Sequence, residues 1–157
     1  MKIKLLCVGK NNRCLWFKAL EDYFKKINLY TSFTIEYVSY VKAGKKNIPS
    51  VVKKEETKKL MLKIKKEDVV VLLDEKGKSL NSSSFARKIE NYQNNGVQSL
   101  VFIIGGAYGF SDEIYANYTN RISLSEMTFT HQMVRLFFCE QLYRAFKIIN
   151  NQPYHNP

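Results

Sequence analysis

The sequence predicts an α/β fold, a mostly parallel sheet with helices on both faces. Short strand-like segments alternate along the chain with longer segments of helical periodicity. Residues 68–73 and 99–104 are continuously apolar, which is typical of strands buried on both faces of a parallel sheet. The 157 residues suit one domain (1–157), and seven glycines and three prolines are too few to divide it.

The first half of the chain predicts two strands and two helices. Residues 2–8 become apolar towards their end, which favours a strand, and residues 15–27 place their apolar side chains on one helical stripe. Residues 33–39 alternate apolar and polar side chains, as in a half-buried strand. A basic loop over 42–50 precedes a lysine-rich helix over 51–65.

The middle of the chain contains the two buried strands. The first, 68–73, is closed by the polar segment 74–77. Residues 81–84 then offer several N-cap side chains for a helix that Gly96 can end in a left-handed conformation. The second strand, 99–104, leads directly into a glycine-rich loop.

The last third predicts a short helix, a short strand and a long helix. Ser111 or Asp112 caps the short helix, which ends at Tyr118. A strand over 121–124 and a helix over 129–150 follow, and the rest is a polar tail. Since ligands bind beyond the carboxyl ends of parallel strands, we expect the site after residues 73, 104 and 124.

The chain carries a large positive charge. Lysine and arginine total 25 against 14 acidic residues, giving +11. Residues 42–66 hold ten lysines and two glutamates. This region fits a nucleic-acid footprint that grips phosphates, and also a solvated lysine-rich face or a membrane-surface contact.

Several classes of protein are excluded by composition. The cysteines Cys7, Cys14 and Cys139 form no C-x-x-C pair, and two histidines are too few for a metal site, so neither a disulfide framework nor bound metal is expected. No apolar run is long enough to span a membrane, and the first apolar run is too short for a signal peptide. We therefore expect a cytoplasmic protein without membrane contact.

The loop 104–109 has three glycines in the order G-G-x-x-G. Glycines let a backbone approach a ligand closely, although a tight turn between strand and helix explains them too. The order matches neither the dinucleotide fingerprint nor a phosphate loop.

The segment 123–131 is rich in small polar and apolar residues, and its backbone groups could surround a flat heterocycle. Ser125 and Thr128 are equally explained as caps of the following helix. On that helix, His131 and Arg135 share one edge, whereas Glu140 and Arg144 lie nearly opposite and fit an ordinary i,i+4 surface pair. The apolar remainder predicts a helix buried in the core or in a subunit interface.

Together these motifs resemble one family along the whole chain, the RlmH pseudouridine N3-methyltransferases of large-subunit ribosomal RNA, in the SPOUT superfamily. The matching residues are Lys2-Ile3-Lys4-Leu5, Val8-Gly9-Lys10, Leu73-Asp74, Gly77-Lys78, Ile104-Gly105-Gly106, Gly109, Leu124-Ser125, Met127-Thr128, His131, Val134-Arg135, Glu140-Gln141-Leu142-Tyr143-Arg144-Ala145 and Pro153-Tyr154-His155. The departures are Ala107-Tyr108 in the glycine loop and the Asn156-Pro157 ending.

The resemblance implies a homodimer with a C-terminal trefoil knot, the knot and cofactor site lying in roughly 68–157. It implies S-adenosylmethionine as methyl donor, S-adenosylhomocysteine as product, and a pseudouridine in helix 69 of 23S rRNA in the assembled ribosome as substrate. The implied cofactor contacts are Leu73, Gly105, Leu124, Ser125, Glu126, Met127, Thr128 and Phe129. A cationic sulfonium gains nothing from lysine or arginine, so a neutral cradle suits it and leaves the basic charge for RNA.

Methyl transfer to N3 releases an imide proton and places negative charge on the neighbouring carbonyl oxygens, which a cation or hydrogen-bond donor would stabilise. The candidates for RNA positioning or charge stabilisation are His131, Arg135, Arg144, Tyr154 and His155, the last two from this protomer or its partner. A non-enzymatic RNA-binding or ribosome-assembly factor, and a knotted methyltransferase with another RNA target, remain alternatives.

Overall fold

The structure is a computed structural model that describes residues 1–9, 16–41 and 48–154. Strands and helices alternate throughout the described part. The elements are β1 (Lys2–Val8), α1 (Phe17–Ile27), β2 (Ser32–Val38), α2 (Pro49–Met61), β3 (Val69–Ser79), α3 (Ser82–Asn94), β4 (Ser99–Ile104), α4 (Asp112–Asn117), β5 (Arg121–Ser123) and α5 (His131–Ile149).

The strands form one parallel sheet in the order β2-β1-β4-β3-β5, which confirms the predicted α/β class. The centre of the sheet is apolar on both faces, as the unbroken apolar runs predicted. Leu5 of β1 pairs with Phe102 of β4, and Val71 of β3 is the next neighbour of Phe102. All three side chains are fully buried.

Helices cover both faces of the sheet. On one face, α1, α3 and α5 pack around Phe102 and Phe138, whose ring centroids lie 4.7 Å apart. On the other face, Leu60 of α2 and Ile114 of α4 pack against Leu72 and neighbouring strand residues. The sheet is therefore the middle of three layers, and its carboxyl edge is left for loops.

β3 is longer than predicted, since the sequence indicated an end at Leu73. The strand continues to Ser79 through an irregularity in which both Leu73 and Lys78 lie opposite Ile122. Gly77 makes this possible, because a Cβ at this position would lie 2.6 Å from the backbone N and C of Ile122. The polar segment that looked like a loop is thus a bulged continuation of the strand.

The predicted ends of α3 are confirmed. The Asn81 side chain accepts a hydrogen bond from the Ser84 amide (2.8 Å), and Gly96 adopts a φ of +72°. The Val97 amide donates to the Tyr92 carbonyl at 3.0 Å, which completes the expected left-handed C-terminal motif.

The other helices differ at their ends. α2 is Pro49–Met61 rather than 51–65, since Pro49 favours a helix start and the chain turns after Met61. For α5 the cap is neither Ser125 nor Thr128, because the Thr130 side chain accepts from the Met133 amide at 3.5 Å. The helix predicted over 15–27 is α1, Phe17–Ile27, and residue 15 lies outside the described residues. Residues 42–47 of the predicted basic loop also lie outside them.

The described part of the chain also bears on the cysteines, on membrane-spanning helices and on metal binding. Cys7 and Cys139 are buried and free, and burial raises the pKa of the Cys7 thiol to about 12, which fits inert core residues. Cys14 lies outside the described residues. No described helix has the length and hydrophobicity to cross a membrane, and no described group of His, Cys, Asp or Glu side chains forms a metal site.

Candidate active site

The bulged middle of β3 and the carboxyl ends of β4 and β5 meet at one edge of the sheet and, with the start of α5, enclose a cavity of about 370 Å³. Residues 73–75 belong to this site because the pairing of β3 with β4 ends at Leu73, next to the carboxyl end of β4. The lining consists of residues 73–75, 104–109, 123–125 and 127–129 with His131, Val134 and Phe137.

This cavity gathers most of the predicted cofactor residues. Leu73, Gly105, Leu124, Ser125, Met127, Thr128 and Phe129 all line it, and Glu126 does not. These residues are separated along the chain by as many as 56 positions, and only the strand order brings them together. Their contact with a cofactor stays a prediction.

The wall of the cavity carries negative charge that sequence reasoning did not assign to the site. Asp74 and Glu75 line it, and none of the described lysine or arginine residues does. The Tyr115 hydroxyl donates to Asp74 Oδ2, and the Lys76 amide donates to Oδ1 at 2.8 Å. Burial, followed by the bond to Asp74, raises the pKa of Tyr115, so the phenol keeps its proton. The sequence feature that indicates this charge is Asp74, which directly follows the apolar run 68–73.

Local hydrogen bonds shape the loop between β5 and α5. The Ser123 hydroxyl donates to the Ser125 carbonyl (2.8 Å), and the Met127 amide donates to the Ser125 hydroxyl (2.9 Å). The rings of Phe129 and Phe137 meet edge to face, with centroids 4.9 Å apart. The Met127 side chain is 73 % exposed. The loop therefore presents an uncharged rim of apolar and hydroxyl side chains to the cavity.

His131 is the predicted catalytic candidate that the structure places at this cavity. It is the first residue of α5. Burial, and then the positive charge of Arg135, lowers its pKa, so the imidazole is neutral at pH 7. A neutral imidazole offers one N–H donor and one acceptor nitrogen to a ligand.

Arg135 does not line this cavity and is only 2 % exposed. Its Nη2 atom donates to the carbonyl oxygens of Val8 (2.9 Å) and Gly9 (3.2 Å), and its guanidinium lies 5.1 Å from the centroid of the Tyr37 ring. Arg135 thus joins α5 to the end of β1. A direct role on a substrate stays a prediction.

A second cavity, of about 610 Å³, shares Gly106, Ala107, Tyr108 and His131 with the first. Glu56 of α2 lines it. Glu56 Oε1 accepts from the Val41 amide (3.3 Å), and Oε2 is buried without a hydrogen-bond partner among the described residues. Burial raises the pKa of this carboxyl. Gly106 lets the Glu56 carboxylate lie against its backbone, because a Cβ at this position would overlap Glu56 Oε2 unless the glutamate side chain moved.

Arg144 and Tyr154 lie elsewhere in this protomer. Arg144 Nη2 and Glu140 Oε1 are 2.6 Å apart, which confirms the predicted i,i+4 pair. The Tyr154 ring lies 4.7 Å from the Arg144 guanidinium, and its hydroxyl donates to Glu140 Oε1 at 3.4 Å. Arg144 follows His131 by 13 positions of α5, which is about 20 Å along the helix. His155 lies outside the described residues.

Comparison with known proteins gives a consistent family. A family model described as "Predicted SPOUT methyltransferase" matches residues 1–155. The chain is 45 % identical over 157 residues to a protein of Flavobacterium psychrophilum, 46 % over 157 residues to one of Phocaeicola vulgatus, and 42 % over 156 residues to one of Porphyromonas gingivalis.

Each of these relatives is named ribosomal RNA large subunit methyltransferase H, and each match covers 99 % of this chain and 99 % of the relative. Full-length identity at this level, together with the family match, leads to one conclusion: the chain belongs to the SPOUT methyltransferase family and is a methyltransferase.

Proposed function

We propose that this methyltransferase transfers a methyl group from S-adenosylmethionine to N3 of a pseudouridine in helix 69 of 23S rRNA, acting on assembled ribosomes in the cytoplasm. One observation carries the proposal. A protein of net charge +11 has a cavity whose lining, among residues 1–9, 16–41 and 48–154, includes two carboxylates and no lysine or arginine. Such a cavity suits a cationic cofactor, while the basic remainder suits RNA.

The residues at the cavity fit S-adenosylmethionine. The backbone of Gly105 and of residues 124–129 offers uncharged donors and acceptors for the adenine, with Leu73 as an apolar wall. Asp74 and Glu75 stabilise the positive charge of the donor. A trefoil knot within 68–157 would enclose this cofactor and orient its methyl group, which is the electrophile in the reaction. S-adenosylhomocysteine is then the product.

The protein's part in the chemistry is positioning and charge stabilisation. N3 of the base must approach the methyl carbon in line, and its proton must leave. The neutral imidazole of His131 lies at the cavity and can hydrogen-bond the imide. Cationic and hydroxyl groups near the carbonyl oxygens would stabilise the negative charge that develops there.

Arg144 and Tyr154 can supply those groups only from a second copy of the chain. Their cluster lies about 20 Å along α5 from His131 in the same protomer. A homodimer that packs through α5 would place the tail of one protomer, including Tyr154 and His155, over the cavity of its partner. Such a composite site would give the dimer its catalytic role.

Two alternatives make different predictions. A non-enzymatic RNA-binding or ribosome-assembly factor explains the positive charge, but it has no use for a carboxylate-lined cavity and would not bind S-adenosylmethionine. A knotted methyltransferase with a different RNA target would bind the cofactor and label another nucleotide.

The decisive experiment is transfer of labelled methyl from S-adenosylmethionine into ribosomes that lack the mark, with free 23S rRNA alongside, followed by nuclease mapping. Label in helix 69 of assembled ribosomes is the expected result. Label elsewhere, or cofactor binding without label, would move the proposal to another RNA. No binding and no label would favour the non-enzymatic factor.

A further inference from the structure

A polar groove of about 680 Å³ lies beside the candidate active site, along β5, the edge strand of the sheet. The second half of β3, the chain leading into β5, and one face of α3 form its walls. Four basic side chains line it, Lys78, Arg87, Lys88 and Arg121. Serine, threonine and asparagine side chains make up most of the remaining lining, and no aspartate or glutamate in the described part of the chain contributes.

The positive charge of this groove is not neutralised within the described residues. None of its four basic side chains takes part in an ion pair with a carboxylate there. Lys78 and Arg87 are exposed, and Arg121 lies 5.0 Å from the centroid of the Tyr115 ring. The lysine-rich α2 region differs, because Lys58 pairs with Glu55 at 2.8 Å.

The groove is continuous with the cavity through two strands. Glu75 of β3 lines the cavity, and Lys78, three residues or about 10 Å further along, lines the groove. On β5, Arg121 lines the groove and Ser123 the cavity. A long ligand bound along the groove would therefore reach the mouth of the cavity, where a reacting base would have to enter.

We propose that this groove binds the phosphodiester backbone of the RNA whose base enters the neighbouring cavity. Arginine and lysine pair with phosphate oxygens, and the hydroxyl and amide side chains between them suit phosphate and ribose hydroxyl groups. A concave, polar surface without large exposed apolar side chains does not fit insertion into a membrane. The inference rests on the proposed function and assigns the RNA a path on the protein.

The test compares two double variants with the same loss of charge. Lys78→Gln with Arg87→Gln removes the two exposed cations of the groove. Lys18→Gln with Lys25→Gln removes two exposed cations from α1, which packs against α5 and β2 and does not line the groove. The affinity for a fluorescent helix 69 RNA is measured over a range of salt concentrations, with S-adenosylmethionine binding by calorimetry on the same samples.

The groove variant is expected to bind this RNA about tenfold more weakly at 0.15 M salt, since each lost phosphate contact lowers the salt-dependence slope by about 1. Cofactor affinity stays at the wild-type value, and the control variant keeps wild-type RNA affinity. Equal RNA affinity of the groove variant and the wild type overturns the proposal, and so does an equal loss in the control. A changed oligomeric state with unchanged RNA affinity also overturns it and assigns the groove to a subunit contact.

The binding measurement separates this inference from the proposed function. If the wild-type protein binds RNA through the groove but labels no ribosome, the RNA-binding role of the groove is upheld and the proposed reaction is contradicted. If the wild type and the groove variant label helix 69 equally at subsaturating ribosome concentration, the proposed reaction is upheld and the RNA-binding role of the groove is contradicted.

Discussion

Arg135 and Glu56 are buried polar side chains near the site, and the sequence does not reveal their role. Periodicity placed Arg135 beside His131 on one edge of α5. Its partners are the carbonyls of Val8 and Gly9, more than 120 positions away along the chain. Local pattern predicts which face of a helix a residue occupies, but not the element that this face will meet.

Arg135→Met is expected to lower the free energy of unfolding by about 2–4 kcal/mol, because a buried and a partly buried carbonyl oxygen lose a charged donor. Urea unfolding at fixed protein concentration measures this change. Arg144→Met, which breaks a partly exposed pair, is the matched control and should cost at most about 1 kcal/mol while reducing methyl transfer. Equal stability losses would contradict the structural role of Arg135.

Glu56 predicts a pH dependence of stability. Burial raises its pKa in the folded state, so its favourable contribution is present below the ordinary value of 4.5 and is lost as pH rises above it. Glu56→Gln should therefore become more stable relative to the wild type between pH 4.5 and pH 8, as measured by chemical unfolding.

The neighbouring Glu55 is the control for that series. Its hydrogen bond to Lys58 lowers its pKa, so its contribution is present above the ordinary value and is lost at low pH. Glu55→Gln should become less stable relative to the wild type as pH rises. A pH-independent difference for Glu56→Gln would show that its carboxyl is not held protonated by burial.

At the scale of elements, the regular parts were predictable and the bulge in β3 was not. The apolar run 68–73 and the caps of α3 are local signals, and the structure confirms both. The continuation of β3 depends on how closely the backbone of Ile122 approaches Gly77, which no local pattern records. The same bulged segment carries Asp74 and Glu75 to the cavity and Lys78 to the groove.

Gly77→Ala should therefore disturb the site as well as the sheet. The added Cβ would lie 2.6 Å from the Ile122 backbone, and forcing this contact costs about 1–3 kcal/mol or more. S-adenosylmethionine binding, measured by calorimetry, should weaken in parallel. Gly96→Ala meets no atom within 4 Å but keeps a φ of +72°, so it should cost about 1 kcal/mol and leave cofactor binding unchanged. Similar cofactor affinities for the two variants would contradict this link.

At the scale of the whole molecule, the class of fold followed from the alternation of strands and helices, whereas the proposed composite site requires a homodimer. The predicted helix already separates Arg144 from His131 by 13 positions, but the sequence does not show that the Tyr154 ring packs on Arg144, away from the cavity. A site shared between protomers predicts that two inactive variants, one without the tail and one with a filled cavity, restore activity in a mixed dimer.

Deletion of residues 153–157 should abolish methyl transfer and leave S-adenosylmethionine binding intact. A second variant, Ser125→Trp, should fill the cofactor cavity and keep the tail, because Ser125 lines that cavity. Neither homodimer is expected to be active. Mixed dimers, formed by co-expression and separated by two affinity tags, should recover activity, since one of their two sites is complete. Inactive mixed dimers would show that the tail acts in its own protomer, and loss of cofactor binding on deletion would show a structural role.

The strand order also determines when the protein can fold during synthesis. β1 lies between β2 and β4, and its partner Phe102 follows Leu5 by almost a hundred residues. At about 5–20 residues per second, the ribosome needs several seconds to supply β4 after β1 has emerged. During that interval an apolar strand has one open hydrogen-bonding edge, which makes the nascent chain a substrate for chaperones and a risk for aggregation.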